Sequence, residues 1–300
     1  MNLDVMGRVE RLGQRWRWLG WALAVHKRYS ELYGNQMASA VTLTAFLTLF
    51  PLVLVGIAVI GFLSVGSDDL PERIVENLGL TGRAADTITD AVGTAERSRR
   101  LASVVGIVGL LWTGLGLAGA VAYAYNTVWQ VQARGLKDRL VGLTWLAGMG
   151  VLLAATFAAS SAIQWIGAGI SVLVVAVGIA LNTALFLWTS WVLPHRRVPL
   201  RALLSAALVG GVALEVLKVV GTILVPRLVA NSSALYGTIG VVFALLAWLL
   251  VFGRLVVYVA VIEVVGWEKT HGTVSVEIEL PRLPGVGIAG ATRAGDRTRR

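Results

Sequence analysis

The chain contains no cysteine, which removes disulfides, Fe–S clusters, thiolate zinc sites and cysteine nucleophiles in one step. Histidine is nearly as scarce: His26, His195 and His271 fall in three separate polar segments, so a multi-histidine metal site has little support and no cofactor is expected. Only 14% of the residues are charged and the mean hydropathy is +0.75, which argues against both a soluble domain and a disordered chain. Repeated apolar runs of 20 or more residues occupy the 300-residue chain instead. Each can cross a hydrocarbon core about 30 Å thick at about 1.5 Å per residue. The runs are continuous rather than alternating, so a transmembrane β-barrel is disfavoured.

Residues 1–36 mix Arg8, Arg11, Arg15, Arg17, Lys27 and Arg28 with Trp16, Trp18 and Trp21, a composition suited to an amphipathic helix lying on an anionic membrane surface. Basic and aromatic residues also suit nucleic acid. A transmembrane run follows directly, however, so the surface reading is preferred and no nucleic-acid partner is expected. No secretory signal peptide is evident, and insertion is expected to use uncleaved helices.

The first span is expected over residues 38–63, with Ser39, Thr42, Thr44 and Thr48 before a central Pro51. Proline removes a backbone hydrogen bond and kinks a helix; the kink serves either packing or a substrate path. Residues 64–100, with seven acidic residues and five arginines, read as a folded helical cap outside the bilayer. The second span, 101–121, continues helically through Asn126 to Trp129. Its Gly114-Leu115-Gly116-Leu117-Ala118-Gly119 spells GxGxxG, but a dinucleotide site needs a strand before the glycines. Close helix packing through small residues explains the spelling better.

After Arg134, Lys137 and Arg139, spans three and four are expected over 140–160 and 167–193, the fourth carrying Asn182. The fifth and sixth form a hairpin over 200–265, joined by a polar turn at 231–237. The predicted fold is thus an all-α polytopic membrane bundle of six transmembrane helices. It has an interfacial segment at 1–36, a membrane domain at 37–267 with its cap at 64–100, and a basic tail at 268–300 that is disordered at its end. Lysines and arginines outside the spans number 18 on the side of the termini and 6 on the cap side. The positive-inside rule then places both termini in the cytoplasm.

The hairpin carries Glu215, Lys218, Arg254 and Glu263. An intramembrane charge costs roughly 2.5–3.5 kcal/mol on insertion scales, so such groups pair or face water. Glu215 and Lys218 share a helical face. Arg254 and Glu263, nine residues apart, lie on nearly opposite faces and cannot pair with each other. Counted from the end near Leu200, Glu215 lies about 22 Å deep and Arg254 about 16 Å deep. A Glu215–Arg254 contact is therefore expected, with Glu263 near the membrane surface and Lys218 free to reach an interface or a cavity. With Asn182, these four form the candidate intramembrane polar site.

Several motifs occur in a telling order. The stretch Ala45-Phe46-Leu47-Thr48-Leu49-Phe50-Pro51-Leu52 resembles a "YxxLFPL" stretch, and Asn126-Thr127-Val128-Trp129 resembles "LNxxW". Pro194 to Pro199, then Glu215 and Lys218, then Tyr236-Gly237-Thr238-Ile239-Gly240 resemble "PxxxV", "WExxK" and "YGxxG". Together, over residues 20–267, they resemble the YihY or virulence factor BrkB family, formerly mislabelled ribonuclease BN. Ala213 and Leu214 stand where that family often has the tryptophan before Glu215, and Arg254 is not one of its characteristic positions.

The resemblance implies a multi-pass bacterial inner-membrane protein that transports or flips lipid-like or other envelope molecules, with membrane lipids as partners. A structural or scaffolding protein that transports nothing is the alternative reading. No histidine–carboxylate cluster supports the nuclease label, no catalytic residue is assigned, and the chain is not expected to be an enzyme. Small residues on the helices leave homo-oligomerisation open. The substrate and any coupling ion are not legible.

Overall fold

The computed structural model describes residues 17–63, 83–132, 135–164, 171–196, 198–236 and 238–272. They form seven helices: α1 Arg17–Glu31, α2 Gly34–Leu63, α3 Arg83–Val128, α4 Leu136–Gln164, α5 Ser171–Val192, α6 Leu200–Tyr236 and α7 Thr238–His271. All but α1 contain a stretch long and apolar enough to cross a membrane. The six-span, all-helical architecture expected from the apolar runs is therefore present.

Two stretches are continuous with the spans beside them. Residues 83–100, read above as part of the cap, run as the opening turns of α3 straight into the second span, which starts near Ser103. Nothing interrupts the helix there, because the arginines and Ala-rich stretch are good helix formers. The expected polar turn at 231–237 is helical as far as Tyr236, and α7 begins at Thr238. Residues 1–16, 64–82 and 273–300 lie outside the described residues, as do Gly237 and hence part of the family-like Tyr236-Gly237 motif.

Helices α2 to α7 close into a ring in which each packs on its chain neighbour and α7 returns against α2, with α7 also touching α3 and α1. The most extensive pairing is α2 on α3. It is made possible by Gly106 and Gly109, where a Cβ would lie 3.0 Å from the Val55 nitrogen and 3.2 Å from the Pro51 ring. Pro51 sits inside a continuous helix and is buried on this glycine face. Thr48, one turn before it, donates toward the carbonyls of Thr44 at 2.7 Å and Thr113 at 3.2 Å. Its hydroxyl thus ties the proline region to α3.

The close-packed core lies toward the end of the bundle where α3, α5 and α7 finish. There Tyr125, Trp129, Phe186, Leu193, Leu203 and Val257 are almost wholly buried. By contrast Val104, Val108, Val151, Val216 and Ile223 face outward, the pattern of helices solvated by lipid rather than water. Helix α1 docks on the end of α7. The Tyr29 ring stacks on Tyr258 at a centroid distance of 4.1 Å, His26 Nδ1 lies 2.9 Å from the Tyr258 hydroxyl, and Arg28 meets Glu268 at 3.5 Å. Trp18 stays exposed beyond this contact.

A direct check follows from the α2–α7 contact. A Cβ at Gly253 would lie 2.6 Å from the Ala38 carbonyl oxygen and 2.7 Å from Thr42 Oγ1. Gly253→Val should therefore destabilise the protein by about 1–3 kcal/mol, read as a lower Tm in detergent. Gly150→Ala, with nothing within 4 Å, should leave Tm unchanged or raise it slightly.

Candidate functional site

The polar residues at membrane depth do not form one cluster. They divide among three places, and the division follows from which helix face each occupies.

The first lies between α5 and α6. Glu215 is about 22 Å along α6 from Leu200 and Asn182 about 15 Å back along α5 from Val192, at 1.5 Å per residue, so both stand well inside the bilayer. Asn182 Nδ2 donates to Glu215 Oε2 at 2.7 Å, and Lys218 Nζ reaches the same oxygen at 2.6 Å. The carboxylate can approach α5 because Gly178, one turn from Asn182, has no side chain: a Cβ there would lie 2.7 Å from Oε2. The Glu215 side chain is 14% exposed but that of Lys218 is 45% exposed. A neutralised ion pair thus faces outward from the bundle.

The second is Arg254, exposed on α7. Burial, then the neighbouring Tyr258, holds the Tyr29 phenol above its ordinary range, and the Arg254 charge pulls it the other way. Arg254 therefore stands near the Tyr29–Tyr258 stack under α1. It makes no ion pair with a described residue, and the expected Glu215–Arg254 contact is replaced by Glu215–Lys218. Equal depth on adjacent antiparallel helices was the basis of that expectation. Facing is what decides it, since Glu215 looks toward α5 while Arg254 looks toward α1.

The third is Glu263, on the opposite face of α7 from Arg254 and only 3% exposed. Although near the end of its helix, it turns into the bundle, where Ser190 of α5 donates to its Oε1. Ser190 also lies 2.8 Å from the Phe186 carbonyl. Glu263 Oε2, Tyr125 Oη and Trp129 Nε1 are buried here without a hydrogen bond of good geometry, although Trp129 stands near Glu263 and Ser190 near Tyr125. Such atoms are costly unless water or small shifts pair them.

Beside this interior, the family-like Asn126 anchors the α5–α6 turn, accepting from the backbone nitrogen of His195 at 3.1 Å. The His195 ring spans two acceptors, the Gln132 carbonyl at 3.0 Å from Nδ1 and Asp138 at 2.8 Å from Nε2. Trp129 meets Trp267 edge-on at 6.2 Å, with the Arg196 guanidinium 5.6 Å from its ring centre. Sequence reading singled out Asn126 and Glu263 but missed His195 and Asp138 beside the first and Ser190 and Tyr125 beside the second. A serine in an apolar span and an acid in a basic turn were their only signals. Among the described residues, no three His, Asp or Glu side chains group closely enough to hold a metal ion.

The Glu263 pocket yields a test. Glu263→Gln keeps the shape and the oxygen that accepts from Ser190, so stability should change by less than about 1 kcal/mol. Glu263→Ala leaves a hole among Ser190, Tyr125 and Trp129 and should cost about 2–4 kcal/mol, read by thermal unfolding in detergent.

Comparison with known proteins places these features in a family context. The model described as Virulence factor BrkB matches residues 25–277. Inner membrane protein YhjD of Escherichia coli (strain K12) is 27% identical over 289 residues, covering 86% of this chain and 82% of that protein. An uncharacterized protein of Dickeya dadantii (strain 3937) is 28% identical over 261 residues, covering 78% and 79%. A UPF0761 membrane protein of Alkalilimnicola ehrlichii (strain ATCC BAA-1101 / DSM 17681 / MLHE-1) is 26% identical over 282 residues, covering 88% of this chain and 60% of that one. No solved structure matches.

Proposed function

From the premise that this chain belongs to the virulence factor BrkB family of membrane proteins, we propose that it is a non-catalytic bacterial inner-membrane protein that lets charged headgroups of lipid-like amphiphiles cross the bilayer. The passage runs along the α5–α6 face. The observation that carries this reading is the Glu215–Lys218–Asn182 cluster, with Lys218 half exposed at membrane depth. Charged side chains inside a membrane face a cavity, a partner or a substrate by default. A carboxylate and an ammonium joined on the outer face can separate to receive a zwitterionic or anionic headgroup, while the lipid tails stay in the surrounding bilayer. That lowers the barrier to moving a polar group through hydrocarbon without opening a water-filled pore.

A scaffolding role finds its support elsewhere. Glu263 is enclosed and holds α7 to α5 through Ser190, an arrangement suited to fixing how the helices pack. The two polar sites thus divide the work: Glu263 organises the bundle, and the α5–α6 cluster meets the substrate.

In proteoliposomes carrying headgroup-labelled phospholipid, the parent should speed transbilayer exchange, measured by dithionite quenching. Glu215→Gln and Lys218→Gln should fold normally and lose most of that acceleration. A parent no faster than protein-free vesicles rejects the transport reading; variants that unfold instead point to a structural role for the pair.

Orientation is part of the proposal, with both termini cytoplasmic. Because the chain has no native cysteine, single introduced thiols report topology cleanly. In intact spheroplasts an impermeant maleimide should label Glu96→Cys and not Arg17→Cys; the reverse pattern inverts the assignment.

A further inference from the structure

The glycines of the GxGxxG spelling do not all serve helix packing. Gly114 does, since a Cβ there would lie 3.0 Å from the Leu146 side chain of α4. Gly116 and Gly119 do not: a Cβ at either meets nothing within 4 Å. Two glycines in a helix interior weaken it, and here no neighbouring helix requires them. They form the floor of a hollow between α3 and α4 with a volume of about 740 Å³.

The hollow has direction. Trp112, Gly116, Gly119, Tyr123 and Thr127 follow one another at intervals of three or four residues, so they form a single stripe along α3. An exposed aromatic stands at each end of the glycine notch, Trp112 at 83% and Tyr123 at 63% exposure. From Thr127 to Trp112 the stripe covers about 22 Å at 1.5 Å per residue. That is about half of a bilayer 40–45 Å thick with its headgroup layers, the depth of one leaflet.

Polar groups gather only at the end near the α3–α4 turn, where Asn126, Asp138 and Arg139 line the hollow. Lys137 precedes them on the same first turn of α4, exposed to the surroundings. Asp138 is already engaged by the His195 ring at 2.8 Å. Among the residues that line the hollow Arg139 is the cation, and with Lys137 before it in sequence the turn carries two positive charges against the one negative charge of Asp138. An apolar channel one leaflet long, open sideways, with Arg139 at its interfacial end, is complementary to one kind of occupant available in a membrane.

We infer that the α3–α4 hollow is a binding seat for one anionic glycerophospholipid of the leaflet on the side of the chain termini. An acyl chain lies over Gly116 and Gly119 between Trp112 and Tyr123, and the phosphate meets Arg139. The seat is remote in sequence and place from the Glu215–Lys218 cluster. It depends on the membrane-spanning reading but stands whether or not that cluster moves lipid.

The test uses the full chain in nanodiscs of equal parts phosphatidylglycerol and phosphatidylcholine, with retained lipid counted by native mass spectrometry. The parent should hold one phosphatidylglycerol, preferred about fivefold, the selection that one basic side chain near an anionic surface supplies. Gly116→Leu/Gly119→Leu, placed where a Cβ has open space on the floor of the hollow, should fill it, stay folded and lose that lipid. Arg139→Gln should keep a lipid and lose the headgroup preference. Glu215→Gln should leave retention intact, which separates this seat from the transport reading. Equal retention and selectivity in the filled variant, or no selectivity in the parent, overturns the proposal. If the double substitution prevents folding, Arg139→Gln alone decides, since unchanged selection there also overturns it.

Discussion

A backbone in hydrocarbon has no water to satisfy its amides and carbonyls, and this constraint governs the structure at every level. It forces each crossing segment into a helix, and it turns the hydroxyls of those helices onto their own backbone. Thr42, Thr48, Thr183 and Thr189 each lie within hydrogen-bond reach of the carbonyl four residues earlier. These residues make the spans less apolar on paper without leaving a polar group adrift. The same requirement draws Thr42 toward the Leu249 carbonyl across the α2–α7 contact, so local satisfaction also joins helices.

Burial in such a bundle cannot rest on hydrophobicity alone, because the lipid outside is as apolar as the protein inside. Small residues that let helices touch take over part of that role. Gly106 and Gly109 admit α2 to α3, Gly148 admits the Trp188 indole, and Gly253 admits the backbone of Ala38. Where a glycine meets nothing, as at Gly116 and Gly119, the packing explanation fails and a hollow remains. The chemical character of the bundle therefore varies around its ring. The α2–α3 and α6–α7 contacts are tight, the α3–α4 face is hollow, and the α5–α6 face carries charge.

Charge follows the same logic of facing. Glu263 and Arg254 stand on one helix yet meet different worlds, one sealed against Ser190 and the other exposed beneath the Tyr29–Tyr258 stack. Glu215 is shared between a residue on its own helix and one on the next. The pairing keeps Lys218 at the surface of the bundle. A lysine so placed has its charge offset by the carboxylate beside it.

The amino-acid sequence by itself determined the membrane class, six spans, their helical nature and the separation of Arg254 from Glu263. All of these depend on run length and on the 100° helical step, which are local properties. It also marked Glu215, Lys218, Glu263 and Asn182 as polar groups needing a reason. Only the tertiary structure decided their partners. Depth along a helix can be counted from residues, but the neighbour toward which a face turns depends on how all the helices pack. That is why Glu215 meets Lys218 and Asn182 instead of Arg254, why Glu263 turns inward to Ser190, and why two of three glycines in one motif border a hollow rather than a helix.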